Sequence, residues 1–200
     1  SVVWSGLASE LDEHQMAEAM VGREMSALFP PKDGVVGEVA LEVANLTVPG
    51  FSEDISFSLR KGEVLGIAGL IGSGRTETFE GLAGLRPASG KVRIKGRAVI
   101  IRDPREALDL GLAYLTEDRK TRGLLLQKGM RENLTLQALR QFTGWLVDTR
   151  AEERALDGAV RDFDIRGSRS VVVGSLSGGN QQKLLFAKTM LSDPEILVID

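Results

Sequence analysis

The stretch Gly69-Leu70-Ile71-Gly72-Ser73-Gly74-Arg75-Thr76 follows an apolar run, Val64-Leu65-Gly66-Ile67-Ala68, and leads into a segment from Thr76 to Leu85 that carries Phe79 and Leu82 at helical spacing. Strand, glycine loop and helix in that order make a phosphate-binding loop. Small residues let several backbone N–H groups converge on one anion, and the helix adds the positive end of its dipole. Gly69, Gly72 and Gly74 supply that freedom around Ser73, and Thr76 stands where a magnesium-binding hydroxyl belongs. Arg75 takes the place of the lysine usual in such loops. It keeps the charge, but its planar fork is bulkier than an ammonium, which predicts a site that holds nucleotide weakly and hydrolyses it poorly. Read alone, the stretch is equally a glycine-rich turn between a strand and a helix.

A second glycine motif lies about a hundred residues on, Leu176-Ser177-Gly178-Gly179-Asn180-Gln181-Gln182-Lys183. Ser177, Gly178 and Gly179 put a hydroxyl and N–H groups at a helix start, again an anion-binding arrangement. Ser177 stands 23 positions before Asp200, which closes the apolar run Ile196-Leu197-Val198-Ile199.

Outward from the first motif, Val39, Leu41 and Val43, then Ile55, Phe57 and Leu59, alternate with polar or small residues, the period of half-buried strands. These predict an antiparallel edge, and Glu63 to Ala68 a continuous apolar strand entering the glycine loop. Short strands follow over Lys91 to Lys95 and Ala98 to Ile101 around a Lys95-Gly96 turn, then a helix over Pro104 to Leu110 and a strand over Leu112 to Leu115. From about Met130 to Asp164 the pattern is helical, with a charged helix opening at Asp148-Thr149. This reads as an inserted helical subdomain of about residues 125–175. A last helix from Gly179 or Asn180 to Leu191 leads into a strand over Glu195 to Asp200. Upstream, Val2-Val3-Trp4 reads as a strand. Ser9 with Asp12 forms a capping box for a helix to about Val21, Gly22 ends it, and Phe29 to Gly34 is a linker. A new domain is expected near Gly37, with residues 1–36 the tail of a preceding one and 37–200 a partial domain. The fold class is α/β, a P-loop domain with an antiparallel β edge and a helical insertion.

Two hundred residues, 42% of them hydrophobic, allow a proper core. A net charge of -3 argues against a general nucleic-acid surface, and the lack of cysteine excludes disulfides and cysteine metal sites. The longest apolar-plus-glycine run, Val64 to Gly72, falls far short of the roughly 20 residues of a membrane helix. His14, the sole histidine, lies on a polar helix and reads as solvated. Trp4 and Trp145 read as packing residues, Asp118-Arg119-Lys120 as a solvated loop, and the helix from Arg150 to Asp162 as an exposed face.

Taken together, the two motifs and Asp200 resemble the nucleotide-binding domains of ABC transporters. The likeness is closer still to the second of two tandem cassettes in ATP-binding subunits of bacterial monosaccharide importers, the ribose, galactose and xylose group. Its marks are Gly69 to Glu77, then Tyr114-Leu115-Thr116-Glu117-Asp118-Arg119-Lys120 with Arg122-Gly123-Leu124, and then the motif at Ser177. Residues 2–24 resemble the tail of the preceding cassette, so the chain reads as truncated at both ends.

The resemblance implies ATP and Mg2+ as cofactors. Gly69, Gly72, Ser73, Gly74, Arg75, Thr76 and Glu117 would form this cassette's own weak site, with Thr76 and Asp200 on the metal. Ser177, Gly178 and Gly179 would contact ATP held by the first cassette of the same subunit. A catalytic glutamate is expected beyond Asp200, so no catalytic residue lies within the chain. Glu117 stands where most cassettes carry a glutamine, Asn180 departs from the usual glutamine, and Phe51 is the substitute for a base-stacking aromatic. Implied partners are transmembrane permease subunits, beside which Asp118 to Lys120 would lie, and indirectly an extracytoplasmic sugar-binding protein. No nucleic acid is implied, and the location is the cytoplasmic face of the membrane. Competing readings are a nucleoside importer of similar layout, a soluble cassette ATPase acting on nucleic acid or the ribosome, and a binding module that never hydrolyses ATP.

Overall fold

The computed structural model describes residues 35–200 together with residues 5, 12, 15, 16 and 19. The expectations for Val2 to Trp4, Ser9, His14, Gly22 and the linker at 29–34 lie outside these residues. The chain separates into two units, Ser1–Val36 and Gly37–Asp200. In the first, Asp12 and Gln15 cap each other: the Gln15 N–H donates to Asp12 Oδ1 at 2.7 Å and the Asp12 N–H to Gln15 Oε1 at 3.1 Å. Residues 15, 16 and 19 are helical, and the Asp12–Gln15 pair is a reciprocal box at the entry to them.

The second unit opens with a four-stranded antiparallel sheet ordered β2-β1-β3-β4, formed by β1 (Val39–Val48), β2 (Ser52–Arg60), β3 (Ser89–Ile94) and β4 (Arg97–Val99). The predicted alternation decides its faces. Leu41, Val43, Leu46 and Val48 are buried, while Glu42, Ala44 and Thr47 between them are half-buried and Asn45 is exposed; Ala40 is buried as well. Lys95 and Gly96 both have positive φ, 52° and 74°, the twist a two-residue hairpin requires.

Helix α1 (Arg75–Leu82) follows the glycine loop, α2 (Pro104–Asp109) is capped by Asp103 accepting from the Arg105 and Glu106 N–H groups, and β5 (Leu112–Leu115) pairs in parallel with β6 (Ile196–Ile199). Helix α1 stops short of the predicted Leu85. Gly84 has φ 74°, and a Cβ there would lie 2.7 Å from the Asp103 backbone, so the chain turns out against α2. Leu41, Val43, Leu46, Leu82, Ala83, Ile94, Ala107, Leu112 and Ile196 form one core between the antiparallel sheet, α1, α2 and the parallel pair.

A second core lies on the helical side. It joins α3 (Met130–Thr135), α4 (Thr149–Asp162) and α5 (Gly178–Met190) to the end of β5 through Leu115, Met130, Leu134, Leu156 and Leu184. Asn133 is fully buried yet satisfied, binding the N–H and C=O of Leu125 and the C=O of Gly129, which fixes the loop entering α3. The α4 helix is not merely an exposed face as predicted. Glu152 is buried and accepts from the Thr135 hydroxyl at 2.6 Å. Trp145 packs nowhere; it is fully exposed at the tip of a tight turn closed by a Thr143–Val147 bridge.

The strand predicted over Glu63 to Ala68 is absent. Among the described residues no backbone hydrogen bond joins 64–69 to another strand, and Val64, Leu65 and Ile67 are exposed. A strand is defined by its neighbours, and among the described residues this apolar run has none. A cleft of about 670 Å3 separates it from the edge of β6, with Val64, Leu65 and Ile67 on one wall and Ile196 to Asp200 on the other. Ile199, at 63% exposed, marks the same open edge.

Candidate nucleotide-binding site

The glycine loop owes its shape to two glycines in the left-handed region, Gly72 and Gly74, each with φ 80°. Gly74 caps α1 and is buried; a Cβ there would sit 2.4 Å from the Phe51 carbonyl oxygen. Gly69 is exposed, and its missing side chain leaves room for Ser73 Oγ, which would lie 2.6 Å from a Cβ. Ser73 is exposed and its N–H closes the turn on the Leu70 carbonyl at 3.0 Å. Thr78 braces the entrance, donating to the Gly74 carbonyl at 2.7 Å and lying 2.8 Å from the Ser52 hydroxyl.

Arg75 is the first residue of α1 and is exposed. The Thr76 hydroxyl donates to Asp200 Oδ1 at 3.1 Å, a contact 124 residues apart in sequence. Asp200 is held there by register: β5 and β6 pair from Leu112↔Ile196 to Leu115↔Ile199, and the Asp200 N–H continues the ladder to the Leu115 carbonyl at 3.0 Å. Arg75, Glu117 and Asp200 line one cleft, with Glu117 exposed at its rim. The helix start, the hydroxyl and the carboxylate therefore lie together, the arrangement that the resemblance implies.

Sequence reasoning does not single out Tyr114 for this site. From the neighbouring strand its hydroxyl donates to Asp200 Oδ2 at 2.8 Å. Burial, reinforced by the Asp200 carboxylate, pushes the phenol's pKa well above its ordinary value. The available signal is its place two residues from the start of the strand that pairs with the one ending in Asp200.

Ser177, Gly178 and Gly179 do not join this cluster. They are exposed at the start of α5, where Ser177 caps the helix by accepting from the Asn180 N–H at 3.4 Å and from Asn180 Nδ2 at 2.9 Å. Asn180 is thus occupied with the cap, its Oδ1 accepting from the Arg166 N–H at 2.8 Å. A Cβ at Gly178 would lie 3.1 Å from Arg119 Nη2, whereas Gly179 faces open space. Arg119 lies in a single wide π-helical turn, Arg119–Gly123, that Asp118 caps through the Lys120 and Thr121 N–H groups. The Asp118–Lys120 segment is therefore a folded turn packed on the Ser177 motif, where composition suggests a solvated loop. Phe51 is half exposed beside the phosphate loop, with the Arg86 guanidinium 4.8 Å from its ring centroid.

Oxygen donors from Thr76 and Asp200 at hydrogen-bond separation suit a hard cation such as magnesium, which takes one or two protein oxygens and completes its shell with water and phosphate. The start of an eight-residue helix directly after the glycine loop suits phosphate.

Comparison with known proteins agrees with this geometry. The profile of the ABC transporter family matches residues 52–200. The ribose import ATP-binding protein of Geobacillus kaustophilus is 43% identical over 194 residues, covering 96% of this chain and 39% of that protein. The ribose import ATP-binding protein of Caldanaerobacter subterraneus is 37% identical over 203 residues, covering 100% of this chain and 41% of its own length. The chain thus spans about two fifths of the relatives it matches. Among solved structures, a nucleotide-free ATP-binding cassette from an ABC transporter superposes with a TM-score of 0.67 at 20% identity, covering 82% of this chain and 69% of the other. A dimeric cassette in a post-hydrolysis state with ADP and phosphate gives 0.64 at 20%, covering 80% and 73%. With a family match over residues 52–200 and the fold of an ATP-binding cassette, this chain belongs to the ABC transporter family.

Proposed function

We propose that the chain is part of the ATP-binding subunit of a bacterial sugar importer, in which ATP binding and hydrolysis drive uptake of ribose or a related monosaccharide. The observation that carries the nucleotide part is the Thr76–Asp200 contact at the mouth of the glycine loop; the two ribose import relatives support the sugar part. Gly69, Gly72, Ser73 and Gly74 cradle phosphate, Arg75 and Glu117 flank it, and Thr76 and Asp200 hold Mg2+, Asp200 through water. When bound by Thr76 and Asp200, the ion would supply positive charge to offset that of the phosphates. Tyr114 keeps the Asp200 carboxylate aimed at the loop.

This cassette's own site is weak, because a guanidinium fork replaces the compact ammonium at Arg75. Ser177, Gly178 and Gly179 serve the first cassette of the same subunit, a reading supported by their exposure away from the Thr76 cluster and by the open space at Gly179. Permease subunits anchor the protein at the cytoplasmic face of the membrane, and a sugar-binding protein delivers the cargo. No helix among the described residues is long and apolar enough to cross a membrane, in line with a peripheral subunit. Nucleic acid has no part, consistent with the net charge of -3.

The test is ATP turnover by the full-length subunit with its membrane partners, comparing Arg75→Ala with Gly178→Asp. Gly178→Asp abolishes turnover while Arg75→Ala leaves most of it. Loss in both makes the arginine loop catalytic, and loss in neither removes the Ser177 motif from the hydrolytic site.

A further inference from the structure

Glu80 lies in the last turn of α1, four residues after Thr76, and is 3% exposed. Nothing in the site described above uses its carboxylate. Burying a charge is costly unless it is paired and hydrogen-bonded, and both oxygens of Glu80 are bound: Arg122 Nη1 meets Oε1 and Arg86 Nε meets Oε2. The two guanidinium groups come from different directions. Arg122 belongs to the turn that follows Glu117, one residue before Gly123 and two before Leu124, a member of the helical-side core. Arg86 lies beyond α1 and stacks on Phe51, whose carbonyl lies where a Cβ on Gly74 would have to go.

One buried carboxylate therefore ties the helix that carries Arg75 and Thr76 to the Glu117 turn on one side and to Phe51 on the other. Glu80, Arg86, Arg122 and Tyr114 share a wall of a cavity of about 620 Å3, and Tyr114 reaches through to Asp200.

We propose that Glu80 is a positioning residue for nucleotide, a clamp that sets the phosphate-loop helix relative to the Glu117 turn through Arg122 and relative to Phe51 through Arg86. The inference rests on the reading that the Gly69–Thr76 loop binds nucleotide. It is tested by titrating MgATP into the full-length protein calorimetrically, for the parent, Arg122→Gln, Arg86→Gln, Glu80→Gln and the Glu80→Gln, Arg122→Gln double variant, with unfolding temperatures measured without nucleotide. Arg122 is 53% exposed at its side chain, so its replacement leaves the fold in place and decides the matter if Glu80→Gln unfolds. Arg122→Gln weakens ATP on the order of tenfold, as coupling residues do. Glu80→Gln weakens it at least as much, and the double variant no further than Glu80→Gln, the non-additivity of one network. ATP affinity within about twofold of the parent in Arg122→Gln, whatever its unfolding temperature, makes the clamp purely structural and overturns the proposal. A parent with no ATP site beyond that of the first cassette overturns the nucleotide reading together with the clamp, whereas a parent whose second, weaker site is present and unaffected in the variants overturns the clamp alone.

Discussion

Tyr114 steadies Asp200 from the adjacent strand, its hydroxyl 2.8 Å from Oδ2, while Thr76 occupies the other carboxylate oxygen at 3.1 Å. The aspartate is thereby fixed at both oxygens before any cation arrives. Tyr114→Phe removes one of these bonds and leaves the ring in place. Because the acceptor is charged and half-buried, the loss is about 1.5 kcal/mol, read as a lower urea midpoint at unchanged slope. An unmoved midpoint means that water replaces the phenol without loss.

The elements readable in the sequence are those whose signal is local. Alternation at Val39 to Val43 and Ile55 to Leu59 marks β1 and β2, the Asp148-Thr149 start marks α4, and the Ser177 motif opens α5 where its serine can cap. Thr76 and Asp200 can be paired because the resemblance of their two motifs to those of ABC cassettes implies one metal for both. The segment at Glu63 to Ala68 fails for the opposite reason: its composition is that of a buried strand, but strand formation depends on a hydrogen-bonding neighbour that no local pattern reports. Trp145 is misjudged from sequence because an aromatic ring says nothing of whether the turn carrying it faces inward. Tyr114 and Glu80 stay hidden because their partners, Asp200 and Arg122, are distant in sequence and joined only by the fold.

Lys188 supplies a pH dependence. Its ammonium is largely buried, donates to the Gly123 carbonyl at 2.8 Å and faces a cavity wall with Glu80, Arg86, Arg122 and Tyr114. Desolvation lowers its pKa below the ordinary 10.5. A depressed lysine pKa means that the folded state disfavours the charged form, so the penalty is full at neutral pH and fades as pH rises from the depressed value toward 10.5. Lys188→Met removes that penalty. The stability difference between variant and parent, followed by urea unfolding, shifts in the parent's favour as pH climbs through this window; a difference constant with pH refutes it.

Two large side chains at opposite extremes of burial test the second core. Leu184 is fully buried between α5 and the helical layer, whereas Trp145 is fully exposed. Leu184→Ala loses both transfer free energy and packing, about 2–5 kcal/mol. Trp145→Ser changes stability by less than about 0.5 kcal/mol. Chemical denaturation of both variants checks the pair, and a large loss at Trp145 would mean that the turn at Thr143–Val147 is covered.

Gly72 and Gly74 share φ 80° but differ in what surrounds them. At Gly72 nothing lies within 4 Å of where a Cβ would stand, so Gly72→Ala incurs only the left-handed backbone penalty, about 1 kcal/mol. At Gly74 the same methyl would stand 2.4 Å from the Phe51 carbonyl oxygen and 3.0 Å from its carbonyl carbon. Backbone cannot rotate away as a side chain can, so either the β1–β2 turn or the start of α1 must move. Gly74→Ala therefore costs about 3 kcal/mol or more, and because the displaced segment carries Arg75 and Thr76, it also weakens MgATP far more than Gly72→Ala does. Denaturation midpoints and calorimetric titrations of the two variants side by side measure both effects. Equal losses at the two glycines would show that the loop yields as a unit and that the contact with Phe51 does not set its position.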